Sequence, residues 1–210
     1  MNKLSLNFAM VALAASFLFS SCSKDETATP TQPLVAQTVK NLVADATVNA
    51  TTGQPQAPTG KFTLFSFATN SVIANTDSAT TKWDIGFRGT SIIINGGAVR
   101  IGQGGAYIHT GLFENLTEIP TTQTFNTDQT ATNLAIPTGA GSGWYNYNAA
   151  TNWISPIAGK VLVIRTGDGK FAKVEILSYY KDAPATPSPT AIARHYTFRY
   201  VYQKGGGRKF

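Results

Sequence analysis

The sequence predicts a single, mostly antiparallel all-β domain behind a flexible, lipidated N-terminal tether, and three observations predict it. The composition is that of strands and turns: 28 threonines, 19 glycines and 10 prolines among 210 residues, with only 13% charged. That charge content is too low for a disordered polyelectrolyte or for long solvated helices. No stretch carries a convincing 3.6-residue apolar period, whereas period-two alternation recurs. Turn signals such as Asn-Gly-Gly and Gly-Asp-Gly separate the alternating runs. A chain of this length, 42% hydrophobic, buries a core without staples. Its one cysteine excludes a disulfide framework and a Cys-based zinc site.

In chain order, Lys3 and the apolar run from Phe8 to Phe19 have the proportions of a signal peptide. The run is too short for a bilayer, which needs about 20 residues. Phe19-Ser20-Ser21-Cys22 resembles a bacterial lipobox, in which the cysteine is acylated after cleavage. Residues 1–21 are therefore expected to be removed and Cys22 to carry the lipid. Residues 22–34, with the Pro/Thr stretch Thr27–Pro33, read as a tether. Residues 35–204 read as the β domain and 205–210 as a flexible tail.

Within the domain, Lys61–Phe67 is apolar on both faces, as in a buried strand. Trp83, Ile85 and Phe87 alternate with Asp84, Gly86 and Arg88. Ser91–Ile94 continues extended, and Asn95-Gly96-Gly97 is a hairpin signal. Val161–Ile164 is wholly apolar, and Gly167-Asp168-Gly169 turns it into Lys170–Tyr180, where Ala172, Val174 and Ile176 share a face. Ala183–Thr190 is a Pro-rich loop that cannot join a central strand. Tyr196, Phe198, Tyr200 and Tyr202 line the core side of a last strand, with His195, Thr197, Arg199 and Val201 on the other side. Residues 98–158 are the least regular stretch. Tyr107, Phe113, Trp144, Tyr145, Tyr147 and Trp153 are interleaved there, so it is expected to carry function.

The inventory for catalysis is sparse, and no enzyme is expected. There are two histidines, His109 and His195, and no serine sits in a nucleophile elbow. Gly102-Gln103-Gly104-Gly105 lacks the lysine and hydroxyl of a phosphate loop. Asp84 is as well placed to pair with Arg88 as to do chemistry. The net charge of +6 is scattered along the chain, which excludes a nucleic-acid partner.

Three blocks in the same order resemble the HmuY family of haem-binding lipoproteins of Bacteroidota: Lys82–Arg88 running into Ile92–Gly97, Lys160–Lys173, and Tyr196–Gln203. Ser23-Lys24-Asp25-Glu26 after the cysteine is similar to the surface-export signal of such lipoproteins. The resemblance implies a hand-shaped all-β fold and an outer-membrane, surface-exposed haemophore serving iron acquisition. It implies haem b as cofactor, taken as free haem or from host haemoproteins. It also implies hand-over to a TonB-dependent outer-membrane receptor, with membrane contact through the lipid.

Family members hold iron by two axial side chains. His109 lies about where the first histidine ligand falls, and it is the metal-ligand candidate here. The region of the second ligand has no histidine and offers Tyr145 or Tyr147 as a phenolate. Trp144, Tyr107 and Phe113 are candidates for the porphyrin slot, and Arg100 or Arg88 for the propionates. His195 is expected to be a surface strand residue. The competing reading keeps the fold without haem, as a surface glycan-binding or adhesive module with Trp144, Tyr145, Tyr147 and Trp153 stacking on sugars.

Overall fold

The computed structural model describes residues 34–186 and 188–210. The predicted signal peptide, Cys22 and nearly all of the tether lie outside the described residues. Eleven strands run through the rest: β1 (Gln37–Val43), β2 (Thr63–Ser66), β3 (Ser71–Ile73), β4 (Ile85–Arg88), β5 (Ser91–Ile94), β6 (Gly105–Thr110), β7 (Tyr145–Asn148), β8 (Trp153–Pro156), β9 (Lys160–Arg165), β10 (Phe171–Tyr180) and β11 (Ala193–Gln203). The one helical element among the described residues is a 3-10 turn at Asn75–Asp77. The all-β expectation therefore holds.

The strands form a five-stranded sheet in the order β1-β11-β10-β9-β6, a four-stranded sheet β3-β2-β4-β5, and the separate hairpin β7-β8. Every strand ladder is antiparallel. The inner faces of the two larger sheets share one core. Phe65, Ile85, Phe87, Ile92 and Ile94 on one side belong to the same cluster as Leu162, Ile164, Val174, Ile176, Tyr196, Phe198 and Tyr200 on the other. Phe198 bridges the two sheets. It meets Phe65 edge-on at 5.5 Å and stacks on Phe87 at 5.4 Å, geometries that favour aromatic pairs.

The fully apolar run of β9 is explained by burial on both faces. Leu162 and Ile164 face the main core, while Val161 and Val163 join a second cluster on the outer face with Phe113, Leu116 and Ile119. That covering segment is fixed by Lys173, whose ammonium donates to the carbonyls of Phe113 and Leu116, both at 2.8 Å. A third cluster, Leu64, Trp83, Ile93 and Leu134, covers the outer face of the four-stranded sheet.

Two local expectations are corrected. The hairpin turn after β4 is Gly89-Thr90, since Arg88 pairs with Ser91. Asn95-Gly96-Gly97 instead leads the chain from the four-stranded sheet to the five-stranded one. The buried Asn95 amide donates to the carbonyls of Thr80 and Trp83, both at 2.8 Å. A Cβ on Gly96 would lie 2.1 Å from the Gly104 carbonyl oxygen, so glycine is required for this close backbone approach. Gly102 and Gly104 serve the same packing, with a Cβ on Gly104 meeting the Asn95 oxygen at 2.4 Å.

Residues 205–210, expected to fray, are docked. Phe210 N–H donates to Thr117 at 2.8 Å, Ile119 N–H donates to Arg208 at 2.9 Å, and the Phe210 ring packs on the second cluster. The Gly and Lys content of this segment predicts a free end, but its last aromatic supplies burial that the composition alone does not show.

Candidate functional site

The end of β6, the start of β9, the end of β10 and the start of β11 gather at one end of the five-stranded sheet. The β7–β8 hairpin is anchored there: Ile154 N–H donates to Tyr180 Oη at 3.0 Å, and just after the hairpin the Gly159 carbonyl accepts the Gly111 N–H at 2.9 Å.

His109 is the penultimate residue of β6 and pairs in register with Val161. Strand alternation puts His109 and Tyr107 on the outer face with Val161 and Val163, and Ala106 and Ile108 on the inner face. The imidazole is half-buried, and no side-chain hydrogen bond among the described residues involves it. Gly111 makes room for it, because a Cβ there would sit 2.7 Å from Nε2. Leu112, next along the chain, is 61% exposed. In the neighbouring register pair the Lys160 ammonium donates to Thr110 Oγ1 at 3.0 Å.

The other candidates separate into distinct places. Tyr107 shares the face of His109 and packs edge-on against Phe125 at 5.2 Å; burial raises its phenol pKa. Phe113 lies in the second cluster, beneath the cations of Arg199 at 4.4 Å and Lys173 at 4.5 Å. Trp144 and Tyr145 belong to the main core, on the opposite face of the sheet from His109. The Trp144 indole donates to the Thr90 carbonyl at 3.0 Å and packs on Tyr145 and Tyr196 at 4.9 and 5.1 Å. Tyr147 is exposed on β7, its hydroxyl bonded to Asn152.

Arg100 is tied elsewhere, in a 2.6 Å ion pair with the fully buried Asp128. Asp128 also accepts the N–H groups of Ile94 and Ala135; burial still raises its carboxyl above the usual range. Arg88 lies over the Phe62 ring at 4.2 Å and donates to Gly60, so it does not pair with Asp84. His195, expected at the surface, is only 2% exposed. Its Nδ1 lies 2.8 Å from the Ala193 carbonyl, and it shares the outer face of β11 with the buried Thr197, which pairs with the buried Ser178. Thus His109 and Tyr107 share a face with Phe113 packed below, and the rest serve the core or other surfaces.

Sequence reasoning did not find the cavities. One of about 700 Å³ opens between the β7–β8 hairpin and the β10–β11 connection, lined by Trp153, Ile154, Tyr179, Tyr180 and Ala191 among others. Another, of about 460 Å³, lies over the four-stranded sheet beside Trp83, Phe62 and Arg100. His109 lines neither. The signal for the first was Trp153 alone, because its other walls come from segments distant in the sequence.

No curated protein matches this chain. Among solved structures, a candidate lipoprotein of Bacteroides fragilis is similar at 19% identity, covering 80% of this chain and 89% of that one with a TM-score of 0.50. A candidate HmuY-like haem-binding protein of Bacteroides vulgatus is similar at 17% identity, covering 80% and 91% with a TM-score of 0.49. The apo HmuY analogue of Tannerella forsythia is similar at 17% identity, covering 81% and 96% with a TM-score of 0.44. The first of these supports the sandwich architecture described above. The family model for HmuY protein matches residues 59–200, spanning the strands from β2 into β11, and the chain belongs to the HmuY family.

Proposed function

We propose that this protein is a haem carrier, not a catalyst, and that His109 supplies the axial bond to the iron. The observation that carries this reading is the state of the His109 imidazole. It stands near the end of an edge strand, half-buried, with no side-chain hydrogen-bond partner among the described residues, and its Nε2 is seated against Gly111, where a Cβ would lie 2.7 Å away. Haem iron takes a neutral imidazole lone pair, and an imidazole already engaged by the fold would have to give up that bond first.

The remaining residues fit one-sided ligation. Leu112 offers exposed apolar surface next to the ring, and Lys160 is a cation in the adjacent register pair for a propionate. Tyr145 and Trp144 do not fit, since both are packed in the core. Arg100 does not fit either, because removing it from Asp128 would leave a buried carboxylate unpaired. Bound haem would supply the visible Soret band and the iron to be carried. The protein's own residues hold it and keep an exposed edge for transfer.

In this reading Cys22 is acylated and tethers the domain to the outer membrane, facing outward, and a TonB-dependent receptor accepts the cargo. Two or three acyl chains make such an anchor stable where one alone is marginal. Titration of the purified chain with haemin tests the carrier reading. A saturable Soret shift at micromolar haemin is expected, and its absence would refute it.

A further inference from the structure

The cavity between the β7–β8 hairpin and the β10–β11 connection is not used by the haem reading, and its chemistry differs from what haem requires. Its wall is a pair of flat rings. The Trp153 indole lies against the Tyr180 phenol with centroids 3.7 Å apart and planes at 7°. The wall is fixed in place, because Tyr180 Oη accepts the Ile154 N–H at 3.0 Å and so ties β8 to β10. Ala191 and Ala193 line it with small side chains, and Asn152, Thr151 and Ser188 line it as well, the Asn152 carbonyl oxygen accepting from Tyr147 and the Ser188 hydroxyl paired with Thr190.

No lining residue carries a charge, an imidazole or a thioether. The iron of a haem would find no histidine there, and the one guanidinium that reaches the wall, Arg194, is taken up by the Tyr179 hydroxyl and the Asp45 carbonyl. Tyr179 is no substitute as a phenolate ligand, since burial pushes its hydroxyl up to about 12. A neutral ligand with one apolar flat face and a girdle of hydroxyls matches both halves of the lining. The CH face of a sugar ring lies on an indole, while its hydroxyls exchange hydrogen bonds with amides and hydroxyls of the lining. The volume, about 700 Å³, is within the range of small-molecule sites.

We propose that this cavity binds a neutral carbohydrate, with Trp153 as its stacking platform. The site is separate from His109 and stands independently of the haem reading.

The test titrates the full purified chain with maltotriose, cellotriose, mannotriose and N,N′-diacetylchitobiose up to about 10 mM, following tryptophan fluorescence and calorimetric heat. Saturable binding of at least one is expected. It should weaken by about tenfold or more in Trp153→Ala and in Ala191→Trp, which fills the cavity from the opposite wall. Haemin binding by Ala191→Trp should match that of the unmodified chain. If Trp153→Ala fails to fold, Ala191→Trp decides alone. Absence of binding by all four sugars, or binding that survives Ala191→Trp, overturns the proposal. Competition between haemin and the sugar, with both lost in Ala191→Trp, would place a porphyrin in the cavity and overturns it as well.

Discussion

The Asp84 carboxylate accepts the Gly167 N–H at 3.2 Å across 83 residues of sequence, joining the edge of β4 to the turn between β9 and β10. Its second oxygen accepts the Phe67 N–H at 2.8 Å. The aspartate of the Trp-Asp-Ile block is thus a clamp between the two sheets. Beside it, the buried Asn95 holds the carbonyls of Thr80 and Trp83.

The clamp is pH-dependent. Burial is the largest influence and raises the Asp84 pKa from 3.8 to about 6, against the two N–H donors. The folded state therefore holds this proton more tightly than the unfolded chain does. Its contribution is fully present below pH 3.8 and is lost as the pH rises through about 6, on the order of 3 kcal/mol. Denaturant unfolding at intervals from pH 3.5 to 7.5 should show this falling term, and Asp84→Asn should flatten it. An unchanged slope in the variant would contradict the assignment.

Arg100 is predicted to support stability without touching cargo. Truncating it leaves Asp128 buried with two N–H donors but no cation, so Arg100→Ala should cost about 3 kcal/mol. Its haemin affinity should match the unmodified chain at a temperature where both are folded. Loss of haemin binding with stability intact would restore Arg100 as a propionate partner.

The docked C-terminus predicts a cost for shortening it. Phe210 packs on the second cluster, and its N–H is held by Thr117. Phe210→Ala should lower stability by about 2 kcal/mol and make the segment after Gln203 more open to proteolysis. Equal melting temperatures and digestion patterns would show that the contact contributes nothing.

Much of the fold was legible because burial writes itself into strands directly. The wholly apolar Val161–Ile164 run reflects two covered faces, and the Tyr196, Phe198 and Tyr200 stripe is the core side of β11. The Asn-Gly-Gly signal was ambiguous, since the same residues serve a tight hairpin or a close crossing of two chain segments. Only the tertiary neighbour at Gly104 decides between them.

The proposed site rests on one residue that the sequence singles out, His109, in a chain with two histidines. Its companions were not legible, because aromatics in a glycine-rich segment look the same whether they line a crevice or plug a core. Trp144 and Tyr145 do the second, and which face of the sheet they meet depends on long-range pairing. The place of His195 opposite the aromatic stripe predicts a surface residue. The histidine is buried because the outer face of the sheet also has covered stretches.

The central claim is an iron–imidazole bond at His109, and haemin titration of three proteins tests it most directly. The unmodified chain should give a saturable Soret shift. Gly111→Ala, whose added methyl would crowd Nε2 at 2.7 Å, should bind several-fold more weakly, and His109→Ala should weaken by about tenfold or more while retaining its melting temperature. A Soret shift of equal amplitude and affinity in folded His109→Ala would contradict the account.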